Sequence, residues 1–332
     1  MDISIPYYED RTRISNSNIG WFLQKGPAYL HKMLTDPPPE EKNPTLERGT
    51  MIHEYILQPE EFQKDYVVWD KSRPSSIQQE KFCQELASSL EIEPNRAILN
   101  AYKAAYSTAG KSEDKMLSEG LKIASTLKDY IDFLKANDGR IMITPWDAKM
   151  LEKIRYNIIY HKKAGKIVFP KTDQQFHLDV NHEFHINWTY YVKMAAGVEC
   201  KSLLDGLTLD FKNKKVIIYD LKTTQKLWHF EDSINQYNYL RQLCFYYQAV
   251  NWYLKYELKE DPNSWKFEFY IIGIDTTGSY DIRVFKIDLF TVQSRQDTIM
   301  NAMKDIMWHQ ETGKWDHSRE YYEGDGSESL NL

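Results

Sequence analysis

The stretch "KKVIIYDLKTTQ", residues 214–225, decides how this chain is read. Val216, Ile217, Ile218 and Tyr219 are β-branched or aromatic, the composition of a strand buried on both faces. Asp220 and Lys222 follow, with only Leu221 between them. Side chains of a strand repeat every two residues, so both charges fall on one face. A buried strand thus ends by aiming a carboxylate and an ammonium into one small space.

The residues before it supply a partner. "CKSLLDGLTLD" ends at Asp210 and "KKVIIYDLK" begins at Lys214, leaving "FKNK" as a hairpin turn in which Asn213 suits a left-handed conformation. With Lys212 and Asn213 as a two-residue loop, Asp205 stands directly opposite Asp220, their Cβ atoms about 5 Å apart. Lys222 shares that face, and a slip of one residue would send Asp220 to the other face. Two opposed carboxylates cost a sheet up to about 1 kcal/mol, and more if buried. A divalent cation reverses that sign. Magnesium takes carboxylate oxygens and keeps several waters for a phosphate substrate. Lys222 then balances charge and orients, or helps to deprotonate, the attacking water. D-x-K alone is a common pattern, and an exposed hairpin with scattered charges carries the same letters. The position of Asp205 and the apolar run ahead of Asp220 favour a site.

The composition of the 332 residues sets limits. Hydrophobic residues make up 42% and charged residues 27%, as in a globular domain or two. No run of 18 apolar residues occurs, so no membrane span is expected, and the opening "MDISIPYYEDRTRIS" predicts no signal peptide. Cys83, Cys200 and Cys244 have no paired spacing, which disfavours a disulfide framework, a zinc ribbon and a four-cysteine iron–sulfur cluster. The expected location is a reducing cytoplasm, bacterial or of a phage-infected cell. A net charge of −6 means that contact with nucleic acid must come from local patches.

Periodicity and turn signals predict helices in two pieces over 15–34, with Ser15 or Ser17 as cap and Pro27 opening the second, and a helix over 45–57 capped by Thr45. "YVVW" (66–69) reads as a short strand, and helices follow near 77–90, 95–109, 113–136 and 145–162. Strands are expected at "KIVF" (166–169), "FHLDV" (176–180), "HEFHINWTYYV" (182–192), 198–210 and 214–222. A helix over 232–258, strands "KFEFYIIGID" and "YDIRVFKID", a helix near 290–312 and a loose acidic tail complete the pattern. The expected organisation is N-terminal core helices (1–74), a mostly helical insertion (75–165), a catalytic core (166–315) and the tail (316–332). The class is α/β, with a central mixed sheet flanked by helices.

"LLD" followed after an interval by "DLKTT" resembles the PD-(D/E)xK nuclease signature, and more closely that of RecE-type (exodeoxyribonuclease VIII-like) exonucleases and their RecB-type relatives. "GTMIHEYILQPEEF" (49–62) is similar to that family's G-x-x-x-H helix, "YNYLRQLCFYYQAV" (237–250) to its Y-x-Y-x-x-Q-x-x-x-Y helix, and "SNSNIGWFLQKGPAYL" to its N-terminal segment. The signature proline is absent, since Leu204 precedes Asp205. The resemblance implies a restriction-endonuclease-like core. It implies His53 as metal ligand or water-orienting group, and Asp205, Asp220 and the Leu221 carbonyl as metal ligands. Lys222 would be the catalytic lysine. Gln242 and Tyr246, four apart on a helix, would touch DNA near the scissile phosphate and steady Lys222. Gly49 would let the His53 helix approach the sheet. Thr223 and Thr224 would support the strand end or touch phosphate, and Glu183 is a further acidic candidate. Mg2+, with Mn2+ able to substitute and room for two ions, is the implied cofactor.

Residues 149–171 hold Lys149, Lys153, Arg155, Lys162, Lys163, Lys166 and Lys171 against Glu152 alone, a basic patch suited to phosphate. A solvated helix face is the plainer reading of it. Arg241, beside Gln242, is a second candidate for DNA contact. The resemblance implies 5′ to 3′ digestion of linear duplex DNA from its ends, leaving 3′ overhangs for recombination. It also implies a ring-like homo-oligomer, with a single-strand annealing protein as partner. The alternatives are an endonuclease or single-strand-specific nuclease on the same fold, a non-catalytic DNA-binding protein on a decayed nuclease fold, and a structural α/β protein.

Overall fold

The structure, a computed structural model, describes residues 7–39, 43–90, 93–136, 138–170 and 198–328, with the backbone alone for 176–178 and 182–187. In chain order the first helices are α1 (Asn16–Thr35), α2 (Pro44–Leu57) and α3 (Pro59–Asp65). Strand β1 (Tyr66–Val68) precedes α4 (Ile77–Ser88), α5 (Pro94–Ala105), α6 (Glu113–Thr126) and α7 (Lys128–Lys135). Then come β2 (Ile141–Ile143), α8 (Pro145–Tyr160) and α9 (Ala164–Val168). Strands β3 (Phe176–Leu178), β4 (His182–Asn187), β5 (Glu199–Leu204), β6 (Gly206–Asp210) and β7 (Lys215–Thr224) follow. The remainder is α10 (Phe230–Gln236), α11 (Tyr239–Trp252), β8 (Lys266–Asp275), β9 (Ile282–Ile287), α12 (Leu289–Gln293), α13 (Gln296–Thr312) and α14 (Arg319–Glu323).

The chain forms two compact units, residues 1–59 with 151–332, and residues 60–150. In the second, α4 to α7 bury Phe82, Ile98, Tyr102, Met116 and Ile131 in one cluster, beside a parallel β1–β2 pair. Ser76, Glu93 and Ser112 cap α4, α5 and α6, so side chains satisfy helix-end N–H groups that would otherwise be orphaned.

The first unit is built on a five-stranded mixed sheet of order β3-β6-β7-β8-β9. β7 runs antiparallel to β6 and parallel to β8, and β9 is antiparallel to β8. A central strand flanked this way needs both faces covered, which is what the unbroken apolar run in β7 provides. Val216 and Ile218 on one face join a core with Phe245, Ala249 and Val250 of α11 and Ile299, Met303 and Ile306 of α13. Tyr219 and Leu221 on the other face are also fully buried. Each such side chain contributes about 1.5–3 kcal/mol relative to exposure. Tyr219 needs a special neighbour. Its cross-strand partner is Gly206, and a Cβ at that glycine would fall 1.9 Å from the Tyr219 ring.

The β6–β7 register is the expected one, from Asp210↔Lys215 to Gly206↔Tyr219. The loop differs. It spans Phe211 to Lys214, and Lys214, not Asn213, takes the left-handed conformation (φ 46°). The Asp210 carboxylate captures Asn213 instead, accepting its N–H at 3.0 Å and its side-chain amide at 2.7 Å.

Other expectations are corrected. "KIVF" is not a strand but most of α9. His161 Nδ1 accepts the N–H groups of Lys163 (3.2 Å) and Ala164 (3.1 Å), which starts a helical turn where a short apolar run alone is ambiguous. The run 198–210 is two strands, since β5 pairs with β4 and β6 with β7, and the chain changes partner at Asp205. The single helix expected over 232–258 breaks at Asn238 (φ 52°), a residue type that tolerates the left-handed region. Asn43, with Pro44 at the first helical position, caps α2 in place of Thr45. The tail is not wholly loose: Ser318 caps α14, whose Tyr322 ring lies 5.7 Å from that of Trp308.

Candidate active site

Asp220 and Lys222 share one face of β7, as strand periodicity requires, and Lys222 Nζ lies 2.5 Å from Asp220 Oδ2. Asp220 is 2% exposed. Its Oδ1 accepts a hydrogen bond from Gln242 Nε2 at 3.1 Å, while buried Oδ2 accepts no well-directed hydrogen bond beside the lysine ion pair. Asp205 occupies the bend between β5 and β6, so the change of strand partner sets its carboxylate at the end of the ladder. Its Oδ2 accepts the Leu221 N–H at 2.7 Å, which ties it to the strand that carries Asp220.

α2 brings His53 to the same place. His53 Nδ1 lies 3.7 Å from Asp205 Oδ1, and the imidazole sits beside the Leu221 backbone. α2 approaches β7 closely at Gly49, where a Cβ would come within 3.3 Å of Thr223 Oγ1. His53, Asp205, Asp220, Leu221 and Lys222 therefore converge, although α2, the β5–β6 bend and β7 are well separated in the chain.

α11 closes the arrangement from the core side. Gln242 Nε2 donates both to Asp220 Oδ1 and to Tyr246 Oη (2.8 Å), and Tyr246 Oη donates to the Leu203 carbonyl (2.8 Å). This chain of bonds locks the Asp220 rotamer. Gln242 thus steadies Asp220 directly, and Tyr246, only 6% exposed, supports Gln242 from a buried position. Tyr239, to which the sequence assigned no role, lies under Lys222, with Nζ 4.9 Å from its ring centroid. The Y-x-Y spacing ahead of Gln242 was the available signal.

The electrostatics follow from burial. Burial raises the Asp220 carboxyl to about 6; Lys222 pulls it down and the Asp205 charge pushes it up. Burial also raises Asp205, against the opposing pull of Lys222 and the Leu221 N–H. Burial opposes charge on Lys222, but Asp220 and Asp205 outweigh it and hold the ammonium above its usual range. Burial and Lys222 push His53 down to about 4, so it stands neutral near pH 7. A buried carboxylate, Asp220, and a partly buried one, Asp205, facing one ammonium leave an excess of negative charge, with one oxygen lacking a directed donor. That suits a hard divalent cation. Among the described residues no three His, Cys, Asp or Glu side chains form a complete cage, and the donor set fits an ion held by a few carboxylates with waters retained.

The other candidates divide. Thr224 supports the strand end: its Oγ1 accepts the Lys226 N–H at 3.0 Å and its carbonyl accepts from Thr276. Arg241 is turned into the protein. It is 6% exposed, donates to Asn16 Oδ1 at 3.0 Å and packs so tightly on Gly20 that a Cβ there would lie 2.7 Å from its Nη2. Lys162, Lys163 and Lys166 are exposed around the start of α9, with Lys163 Nζ 4.6 Å from the Tyr270 ring centroid. Lys171 and the Glu183 side chain lie outside the described residues. Among the described residues no helix is long and apolar enough to cross a membrane.

Residues 187–323 match the family model of a PDDEXK-like domain of unknown function (DUF3799). No curated protein matches the sequence. A solved structure of a candidate exonuclease from Eubacterium rectale is 12% identical, with 100% of this chain and 96% of that chain covered, at a TM-score of 0.49. The family match contains Asp205, Asp220, Lys222, Gln242 and Tyr246, and it covers strands β5 to β9. Residues 187–323 are thus similar to a PDDEXK-like domain, and the chain carries a mixed α/β fold.

Proposed function

We propose that this protein is a divalent-metal-dependent DNA exonuclease of RecE type. The observation that carries the reading is the convergence of His53, Asp205, Asp220 and Lys222 at the end of one β-ribbon, with Gln242 fixing the Asp220 carboxylate. Asp205, Asp220 and the Leu221 carbonyl would hold Mg2+, with Mn2+ as a substitute, and His53 would be a further ligand or orient the water on the ion. A bound divalent ion supplies an activated water and polarises a phosphodiester. The protein's own groups do the rest. The Lys222 ammonium, kept charged by two carboxylates, neutralises and orients groups brought beside Asp220. Gln242 and Tyr246 hold the carboxylate still, and neutral His53 offers a nitrogen lone pair. The motif resemblance supports linear duplex DNA as substrate, 5′ to 3′ polarity, 3′ overhangs for recombination, a ring-like homo-oligomer and an annealing partner.

The test is to incubate the protein with magnesium and either end-labelled linear duplex or closed circular DNA, beside Asp220→Ala. Mononucleotide release from the linear DNA alone, lost in the variant, is the expected result. Nicking of the circle would make the enzyme an endonuclease. Shifted but uncut DNA in both proteins would reject a nuclease altogether.

A further inference from the structure

A second surface of the same unit carries exposed rings among basic groups. Trp228 is 79% exposed and sits in the short turn after β7, six residues beyond Lys222. Arg283 of β9 fixes it from one side. The Arg283 guanidinium lies 5.0 Å from the Trp228 ring centroid and donates to the Leu227 carbonyl at 3.1 Å. The other platform is on α8. Tyr160 is 71% exposed, and its ring centroid lies 4.4 Å from that of Tyr156. Asn157, between them in sequence, ties α8 to the turn before β9 through the Tyr280 carbonyl at 2.7 Å.

Two clefts of about 470 and 500 Å³ share His161, Ile282 and Arg283, and Tyr160 and Trp228 both line the larger. Their lining includes Lys153, Lys163, Arg283 and Lys286 against one acid, Asp281. In a chain of net charge −6 this local excess is complementary to phosphate rather than to an average protein surface. Exposed rings held in place beside a basic track are what unpaired bases require, because every base has a stackable face while duplex bases are already stacked.

We infer that this surface binds single-stranded DNA, with bases stacked on Trp228 and Tyr160 and the backbone followed by Lys153, Lys163 and Arg283. Its place in the reaction rests on the nuclease reading, as the path of a strand freed from its complement. The binding itself needs no hydrolysis, so the two readings fail separately.

The test uses the full chain in EDTA, titrated with a short fluorescent oligothymidylate and with a duplex of equal length. The expected result is tighter binding of the single strand, with quenching of tryptophan emission. Trp228→Ala and Tyr160→Ala should each weaken it about tenfold or more, with duplex binding little changed, while Trp228→Phe keeps binding within a few-fold. Equal affinity for duplex and single strand, or no loss in either alanine variant, overturns the inference. So does a changed oligomeric state in Trp228→Ala, which would make this face a subunit interface. Cleavage assayed separately with magnesium reports on the nuclease reading alone.

Discussion

Asp220 is held by Lys222 on one oxygen and Gln242 on the other, and Gln242 is itself steadied by Tyr246. Removing a group that only orients an acid of this kind typically costs 10–100-fold, so Gln242→Ala should lower kcat by roughly that factor. Tyr246→Phe should cost less, because Gln242 still reaches Asp220. Steady-state kinetics on linear duplex would check the order. Equal effects in both would show that the Leu203 anchor matters as much as the direct bond. Arg241 gives the complementary case. Its burial against Gly20 and Asn16 predicts that Arg241→Ala lowers the melting temperature while leaving the salt dependence of DNA binding unchanged. A shallower salt slope would return it to the DNA interface. The shared face of Asp220 and Lys222 was legible in sequence because strand parity is strict. Asp205 instead sits in a bend just outside the β6–β7 ladder, not in the cross-strand pair expected. The direction of Arg241 was not legible. Successive residues on a helix point about 100° apart, so adjacency to Gln242 says nothing of where the next side chain faces.

At the scale of elements, the β6–β7 ribbon depends on the Gly206–Tyr219 pair. Gly206→Ala puts a methyl into the Tyr219 ring and should destabilise by about 1–3 kcal/mol, read from urea unfolding. A Tyr219→Leu second change should recover part of that stability. No recovery would place the strain in the backbone instead. The loop ahead of α1 gives a pH prediction. Asp10 is buried, which raises its proton affinity, but bonds from Thr12 and Arg13 outweigh this and lower its carboxyl to about 2. Its folded-state value lies below the unfolded one, so its stabilisation is full above about pH 4 and fades as pH falls toward 2. Asp10→Asn should therefore cost about 1 kcal/mol at neutral pH, the Arg13 pair being partly solvated, and little near pH 2. Unfolding at both pH values measures this, and a constant difference would contradict it. Most helix limits and the β6–β7 register were readable from caps and from period-two parity. The partner change at Asp205 was not, because a continuous apolar run carries no mark of which neighbour each half pairs with. The break at Asn238 was missed for a related reason: helical periodicity continues across a single left-handed residue.

At the scale of the molecule, an acidic protein that acts on DNA must hold phosphate with local cations. Lys162, Lys163 and Lys166 cluster around the start of α9. Replacing all three with Gln should flatten the log–log salt dependence of duplex binding by about 0.9 for each phosphate no longer neutralised. An unchanged slope would leave them as a solvated face. The family match covers residues 187–323, whereas His53 lies outside it, so assembly of the site draws on the N-terminal helices as well as the matched domain. No sequence period announces that assembly, in which Gly49 leaves α2 close to Thr223 of β7. Everything proposed for the site requires Asp205 and Asp220 to share one divalent cation. Mn2+ titration followed by electron paramagnetic resonance, on the native protein beside Asp205→Asn and Asp220→Asn, tests this most directly. The expected result is one saturable class of bound Mn2+ that disappears in both variants while the fold, followed by circular dichroism, is kept. Undiminished Mn2+ binding in either variant would contradict it.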